Sequence, residues 1–102
     1  MNRQTIIETL RKHRTELEAL GVERVALFGS QARGDASTDS DIDIAVSFAT
    51  PMEARSLAYV GLRGDVKDRL ETLFDAEIHL TDVDMMKPYI RDEFSRDGVY
   101  AY

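Results

Sequence analysis

The sequence predicts an α/β (α+β) fold, a small β-sheet flanked by helices in the order αβ(α)βαβαβ. Three observations carry this. An amphipathic helical repeat opens the chain, short apolar runs with β-branched residues follow at intervals, and stretches of helical periodicity separate the later runs. The 102 residues suffice for one hydrophobic core but not for a second domain. No internal repeat, low-complexity segment or linker interrupts them, so a single domain over residues 1–102 is expected.

Thr5-Ile6-Ile7-Glu8 has the form of a capping box and predicts a helix start. Ile6, Ile7, Leu10, Leu17 and Leu20 then recur at near-helical spacing, and Gly21 offers a left-handed stop, which places the first helix at residues 5–20. Arg24 to Phe28 is too short for a stable helix and ends at Gly29, so it reads as a buried strand. The segment 30–40 is small and turn-prone, with one helical turn at Ser30-Gln31-Ala32-Arg33. Asp41 to Val46 alternates polar and apolar with period two, as a second strand.

A helical stretch follows Pro51, with Leu57, Leu62, Val66, Leu70 and Leu73 as its apolar face. Gly61 and Gly64 each weaken it by up to about 1 kcal/mol relative to alanine, so a break near Gly61 is allowed for. Ala76 to Leu80 alternates as a third strand. Asp82-Val83-Asp84 supplies a cap for a helix running through Pro88 to Phe94, and Asp97-Gly98 precedes a last β-prone piece, Val99 to Tyr102.

Composition narrows the function. With 43% apolar and 31% charged residues the chain matches a globular protein rather than a disordered one. A formal charge of −6 argues against broad nucleic-acid binding, which depends on lysine and arginine displacing counterions from phosphates. A basic protein partner fits better. The absence of cysteine excludes a thiol nucleophile and thiolate metal sites, and it agrees with a cytoplasmic location. No apolar run reaches the roughly 18 residues of a membrane span, so no membrane association is expected.

Asp41 and Asp43 stand two apart on a predicted strand, so both carboxylates project from one face with Cα atoms roughly 6 to 7 Å apart. Their repulsion is of order 2 to 3 kcal/mol at an effective dielectric near 20, and a divalent cation between them reverses it. Alternating polar positions are also what any half-exposed strand presents. The distinguishing feature lies upstream: Gly29-Ser30 directly follows a strand and opens a turn whose free amides can meet an anion. Gly29-Ser30, ten intervening residues and Asp41-x-Asp43 together suit a phosphate-binding loop folded back on a metal-binding strand. The G-x-x-x-x-G-K-[ST], G-x-G-x-x-G and H-E-x-x-H patterns are all absent.

Leu27-Phe28-Gly29-Ser30-Gln31-Ala32-Arg33-Gly34-Asp35, followed by Asp39-Ser40-Asp41-Ile42-Asp43-Ile44, resembles the signature of the minimal nucleotidyltransferase (MNT) family of the DNA polymerase β-like superfamily. The resemblance extends through Leu70 to Leu80 and Lys87-Pro88, and it implies that the sheet is mixed. It further implies a Mg²⁺-dependent transfer of a nucleotidyl group, usually adenylyl from ATP, to a hydroxyl, with Mn²⁺ as the alternative ion. Gly29 and Ser30 would hold the terminal phosphates, Arg33 would offset their charge, and Asp41 and Asp43 would ligate metal ions. Active members usually carry a third carboxylate on the later strand. Here a gapless alignment through Lys87-Pro88 puts His79 there, with Glu77 two residues earlier on the same face, and either residue could serve. Imidazole is a poor Mg²⁺ ligand and a better one for softer ions such as Mn²⁺.

Two functions follow from the resemblance. One is an antitoxin enzyme that adenylylates a tyrosine of a HEPN ribonuclease toxin; the other is a weakened nucleotide binder that neutralises the toxin by forming a complex. A subunit of a small-molecule transferase is a third reading. A domain of this size has no room for its own acceptor site, which a partner or a second copy of the chain must supply. Met85 and Met86 read as core filler, His13 as exposed, and Arg33-Gly34-Asp35 as a chance tripeptide. Tyr89, Phe94, Tyr100 and Tyr102 crowd the C-terminal quarter, where they complete the core or face a partner.

Overall fold

Helix α1 (Arg3–Lys12) begins before the predicted capping box, because the Asn2 side chain accepts from the Thr5 amide at 2.9 Å. Asparagine ranks at least level with threonine as an N-cap, so the start moves upstream. Thr5 and Glu8 then lie inside the helix, where the Thr5 carbonyl accepts from the Thr9 hydroxyl and Glu8 accepts from Gln4. The predicted single helix is broken at His13 (φ −102°, ψ 17°), and α2 (Arg14–Ala19) follows. His13 is half-buried rather than exposed, its Nδ1 lying 2.9 Å from the Thr9 carbonyl. The bend keeps Leu17 in the same core as Ile6, Ile7 and Leu10. The computed structural model describes residues 2–34, 41–50 and 56–102, so the readings that fall on Asp35, Asp39, Ser40 and Pro51 lie outside the described residues.

Beyond Gly21 (φ +92°) come β1 (Val22–Phe28), the short helix α3 (Gly29–Arg33) and β2 (Ile42–Phe48). The long helix α4 (Leu57–Phe74) leads into β3 (Ile78–Asp82). A 3₁₀ turn (Val83–Met85), α5 (Pro88–Asp97) and β4 (Val99–Tyr100) complete the chain. The strands form a mixed sheet in the order β3-β2-β1-β4: β1 runs antiparallel to β2 and β4, and β2 runs parallel to β3.

Helix α4 runs unbroken through Gly61 and Gly64. A break there is unnecessary because Val66, Leu70 and Phe74 anchor the helix to the core, with Leu62 and Leu73 packed beside them. Leu57 departs from the predicted apolar face: it is 90% exposed at the helix start. The helix predicted from the Asp82 cap divides in two. Asp82 accepts from the Asp84 amide at 2.9 Å and caps only the 3₁₀ turn, whereas α5 starts afresh at Pro88, whose fixed φ suits a first helical position.

Alternation along the strands sorts the sheet into two faces. Val25, Leu27, Ile42, Ile44, Val46, Ile78 and Leu80 face α1, α2 and α4 in the larger core. Ala26, Phe28 and Ala45 face the other way, under Met86, Ile90, Phe94 and Tyr100. Phe94 packs edge-on against both Phe28 and Tyr100, so two of the four C-terminal aromatics build this smaller core. Tyr89 is exposed, as is Met85, which corrects the reading of both methionines as core. Among the described residues no helix is long and apolar enough to cross a membrane.

Candidate active site

The polar residues of interest gather at one end of the sheet, where β1 leaves into α3 and β2 and β3 enter. Because β1 and β2 are antiparallel, Phe28 lies opposite Asp43, and the chain turns directly after it at Gly29. Because β2 and β3 are parallel, Asp43 lies opposite His79. Odd positions of both strands point to the face of Phe28 and Ala45, so Asp43 and His79 share that face, with Asp41 one step before β2.

Gly29 makes this convergence feasible. It has φ +73°, a conformation that L side chains rarely adopt, and a Cβ placed on it would stand 2.4 Å from Asp43 Oδ2 and 3.2 Å from Cγ. The turn therefore rests directly against the carboxylate with no side chain between. Ser30 follows at the start of α3, its carbonyl accepting from the Gly34 amide at 3.0 Å. Gly34, in a left-handed conformation with φ +79°, ends the helix.

His79 stands between the carboxylates. Its Nε2 lies 3.1 Å from Asp41 Oδ2 and 3.9 Å from Glu77 Oε1, while Nδ1 lies 3.4 Å from Asp43 Oδ1. Ligand atoms of Asp41, Glu77 and His79 all fall within 4.8 Å of one another. Glu77 precedes β3, its carbonyl accepting from the Ile42 amide at 3.1 Å. The register thus places His79, not Glu77, across from Asp43, and brings Glu77 to the exposed rim. Burial pushes the Asp43 carboxyl above its ordinary range. The His79 ring opposes that shift, while Glu93 and Asp41 add to it. A half-buried carboxylate beside a second one is a donor set that suits a hard or borderline divalent cation, whose charge offsets the burial that mainly raises Asp43 and the like charges that add to it.

Arg33 is held by α5, 3.0 Å from Asp97 Oδ2 and 3.6 Å from Glu93 Oε1. Glu93 was not evident from the sequence. It lies 50 positions beyond Asp43 on a helix whose exposed residues carry no motif, and only the packing of α5 against Phe28 brings it near. A separate cleft of about 600 Å³ between α4 and β3 is lined by Tyr59, Val60, Arg63, Leu80, Asp82 and Met85 among others, and none of the carboxylate-site residues line it.

A mixed four-stranded sheet with paired aspartates at a strand start, facing a glycine-opened turn, defines a nucleotidyltransferase fold. The chain belongs to the nucleotidyltransferase domain family, which matches it over residues 10–100. It is 34% identical over 99 residues to the protein adenylyltransferase MntA of Thermococcus cleftensis, covering 96% of this chain and 94% of that one. It is likewise 34% identical over 96 residues to a Methanocaldococcus jannaschii protein provisionally named a protein adenylyltransferase, covering 93% of each. A solved structure described as a minimal nucleotidyltransferase superposes with a TM-score of 0.71 at 30% identity, covering 97% of this chain and 95% of that one. A toxin-antitoxin complex with AMP-PNP contains the same fold, with a TM-score of 0.67 at 24% identity over 100% of this chain and 73% of that one.

Proposed function

We propose that residues 1–102 act as a single minimal nucleotidyltransferase domain that moves adenylyl from ATP to a protein hydroxyl, and so serves as an antitoxin. The acceptor we favour is a tyrosine of a HEPN-type toxin. The observation that carries this reading is the contact of the Gly29 turn with Asp43, which seats the Gly29-Ser30 turn beside paired carboxylates. Relatives named protein adenylyltransferases support the activity. One structural neighbour is described as a tri-AMPylated HEPN toxin from Shewanella oneidensis with its MNT antitoxin, which supports the partner.

In this reading the Gly29 backbone and the Ser30 hydroxyl bind the terminal phosphates, and Asp41 and Asp43 would hold the divalent ions beside the α-phosphate. A divalent ion, Mg²⁺ or Mn²⁺, supplies charge neutralisation at the α-phosphate and the leaving oxygen when bound. The acceptor oxygen bonds to the α-phosphorus, the bond to the β-phosphate bridging oxygen breaks, pyrophosphate leaves and the hydroxyl proton is released. Arg33 adds positive charge to the loop, reduced by its pairing with Asp97 and Glu93. The −6 charge complements a basic partner and fits a cytoplasmic protein with no broad affinity for nucleic acid.

Incubation with α-labelled ATP and Mg²⁺ or Mn²⁺, with and without the co-purified partner, tests the proposal. Label on the partner that disappears in the Asp41→Ala, Asp43→Ala variant supports it; a stable complex without label under either ion overturns it. His79 in place of a third carboxylate favours a second reading, neutralisation by complex formation alone. That reading requires the double variant to go on neutralising the toxin in cells.

A further inference from the structure

We propose that His79 is a metal-selecting ligand, binding through Nε2 together with Asp41 and Glu77 and turning the divalent-ion site of this chain from Mg²⁺ toward a first-row transition ion such as Mn²⁺. The inference rests on the transferase reading, in which Asp41 and Asp43 hold divalent ions; Asp41 is the ligand shared with His79, and Asp43 orients the ring through Oδ1.

The distances suit an ion. Octahedral coordination with bonds near 2.1 Å sets neighbouring ligand atoms about 3.0 Å apart and opposite ones about 4.2 Å apart. The 3.1 Å from Nε2 to Asp41 already matches neighbouring ligands, whereas the 3.9 Å to Glu77 falls between the two values and needs a side-chain rotation to match. The side chains involved are 54% exposed for His79, 45% for Asp41 and 65% for Glu77, so small rotations complete the arrangement without moving a strand. The strands are fixed by the Asp43–His79 register and by the Ile42 amide bonded to the Glu77 carbonyl.

The second ring nitrogen decides which atom binds. Neutral imidazole has one donor and one acceptor nitrogen. With the proton on Nδ1, 3.4 Å from Asp43 Oδ1, the ring donates to a carboxylate and the Nε2 lone pair points toward Asp41 and Glu77. A carboxylate behind the non-ligating nitrogen is the usual way a metal-bound histidine is oriented. Mg²⁺ takes oxygen and keeps its waters, whereas Mn²⁺ accepts imidazole with carboxylate.

The test is Mn²⁺ binding to the whole chain, followed by electron paramagnetic resonance without nucleotide or partner and repeated with Mg²⁺ as competitor. Wild type is compared with His79→Asp and His79→Ala. Carboxylates alone rank Mn²⁺ somewhat above Mg²⁺, so the comparison with His79→Asp isolates the nitrogen. The expected result is a Mn²⁺:Mg²⁺ preference that falls about tenfold in His79→Asp, and a Mn²⁺ affinity that falls about tenfold in His79→Ala with little change for Mg²⁺. Thermal unfolding in chelator confirms that the variants fold. A preference that stays within about twofold of wild type in His79→Asp overturns the assignment. Label transfer from ATP, measured separately, keeps the two readings apart. Selectivity without transfer supports the metal assignment and removes the transferase, whereas transfer with an unchanged ion preference does the reverse.

Discussion

Gly29 rests against the carboxylate of Asp43 so closely that a Cβ on Gly29 would stand 2.4 Å from Oδ2. Two demands meet at one position, since the backbone there also has φ +73°. Gly29→Ala is therefore expected to cost about 1 to 3 kcal/mol of stability and to displace the Asp43 side chain. Denaturant unfolding measures the first effect and divalent-ion affinity the second. An alanine variant with wild-type stability and ion affinity would refute the steric argument.

Much of this site was legible in the sequence because its parts are local. The Gly29-Ser30 turn follows an apolar run, and period two sets Asp43 opposite the core face of β2, while Asp41, read as the strand's first residue, lies one position before it. The gapless alignment sets His79 at the third-carboxylate position and leaves Glu77 as the alternative; the observed register pairs Asp43 with His79. What escaped was set by tertiary contact. The bend at His13 answers the need of Leu17 to join the core, and Leu57 fits a helical stripe yet stands 90% exposed at the helix start, outside the core cluster of the described residues. Glu93 approaches Asp43 only through the packing of Phe94 on Phe28. The Thr5 capping box lost to Asn2 because two good caps lay three residues apart.

Tyr59 donates to Asp82 across the gap between α4 and β3, and Asp82 is 3% exposed. Buried carboxylates depend on their donors, so Tyr59→Phe is expected to cost about 1 to 3 kcal/mol. Because the pair lies at the cleft of α4 rather than at the carboxylate site, adenylyl transfer by the folded fraction should be unchanged. Equilibrium unfolding and a transfer assay below the transition temperature check both halves.

Arg33 joins α3 to α5 through Asp97 and Glu93 with its side chain 39% exposed. Exposed pairs contribute little, so Arg33→Ala should cost no more than about 1 kcal/mol. Its larger effect is expected on nucleotide affinity, because the helix that carries Ser30 loses its tie and Glu93 is left unneutralised near Asp43. A nucleotide titration in which Arg33→Ala binds as wild type would place Arg33 outside the site.

Tyr102 provides a test of pH dependence away from the site. Burial pushes its hydroxyl pKa from 10.0 up to about 12, Glu18 adds to the shift, and Arg14, 4.8 Å from the ring centre, opposes it. The folded value lies above the unfolded one. The stability held in the protonated hydroxyl is therefore whole below pH 10 and is lost as pH rises through about 12. Among the described residues the buried hydroxyl has no hydrogen-bond partner. Tyr102→Phe should thus be neutral or stabilising by about 1 kcal/mol at pH 7, and it should flatten the decline above pH 10. Urea unfolding at a series of pH values measures both.

Asp43 couples stability to the ion. Burial raises its carboxyl pKa, so the stability linked to its protonated form is present at low pH and lost as pH rises through the raised value. In chelator, Asp43→Asn removes that loss, and the variant should melt above wild type at neutral pH with the gap closing toward acid. Added divalent ion should reverse the order. A cation bound only by the folded wild type stabilises it by about 2.7 kcal/mol at 100 times its dissociation constant, and the asparagine variant forfeits most of that. Melting curves of both proteins, with chelator and with Mn²⁺, at pH 5 and pH 7.5, decide the matter. An Asp43→Asn variant that melts below wild type in chelator, or gains as much from Mn²⁺ as wild type does, would show that the Asp43 charge is neither a cost in the empty site nor a ligand in the filled one.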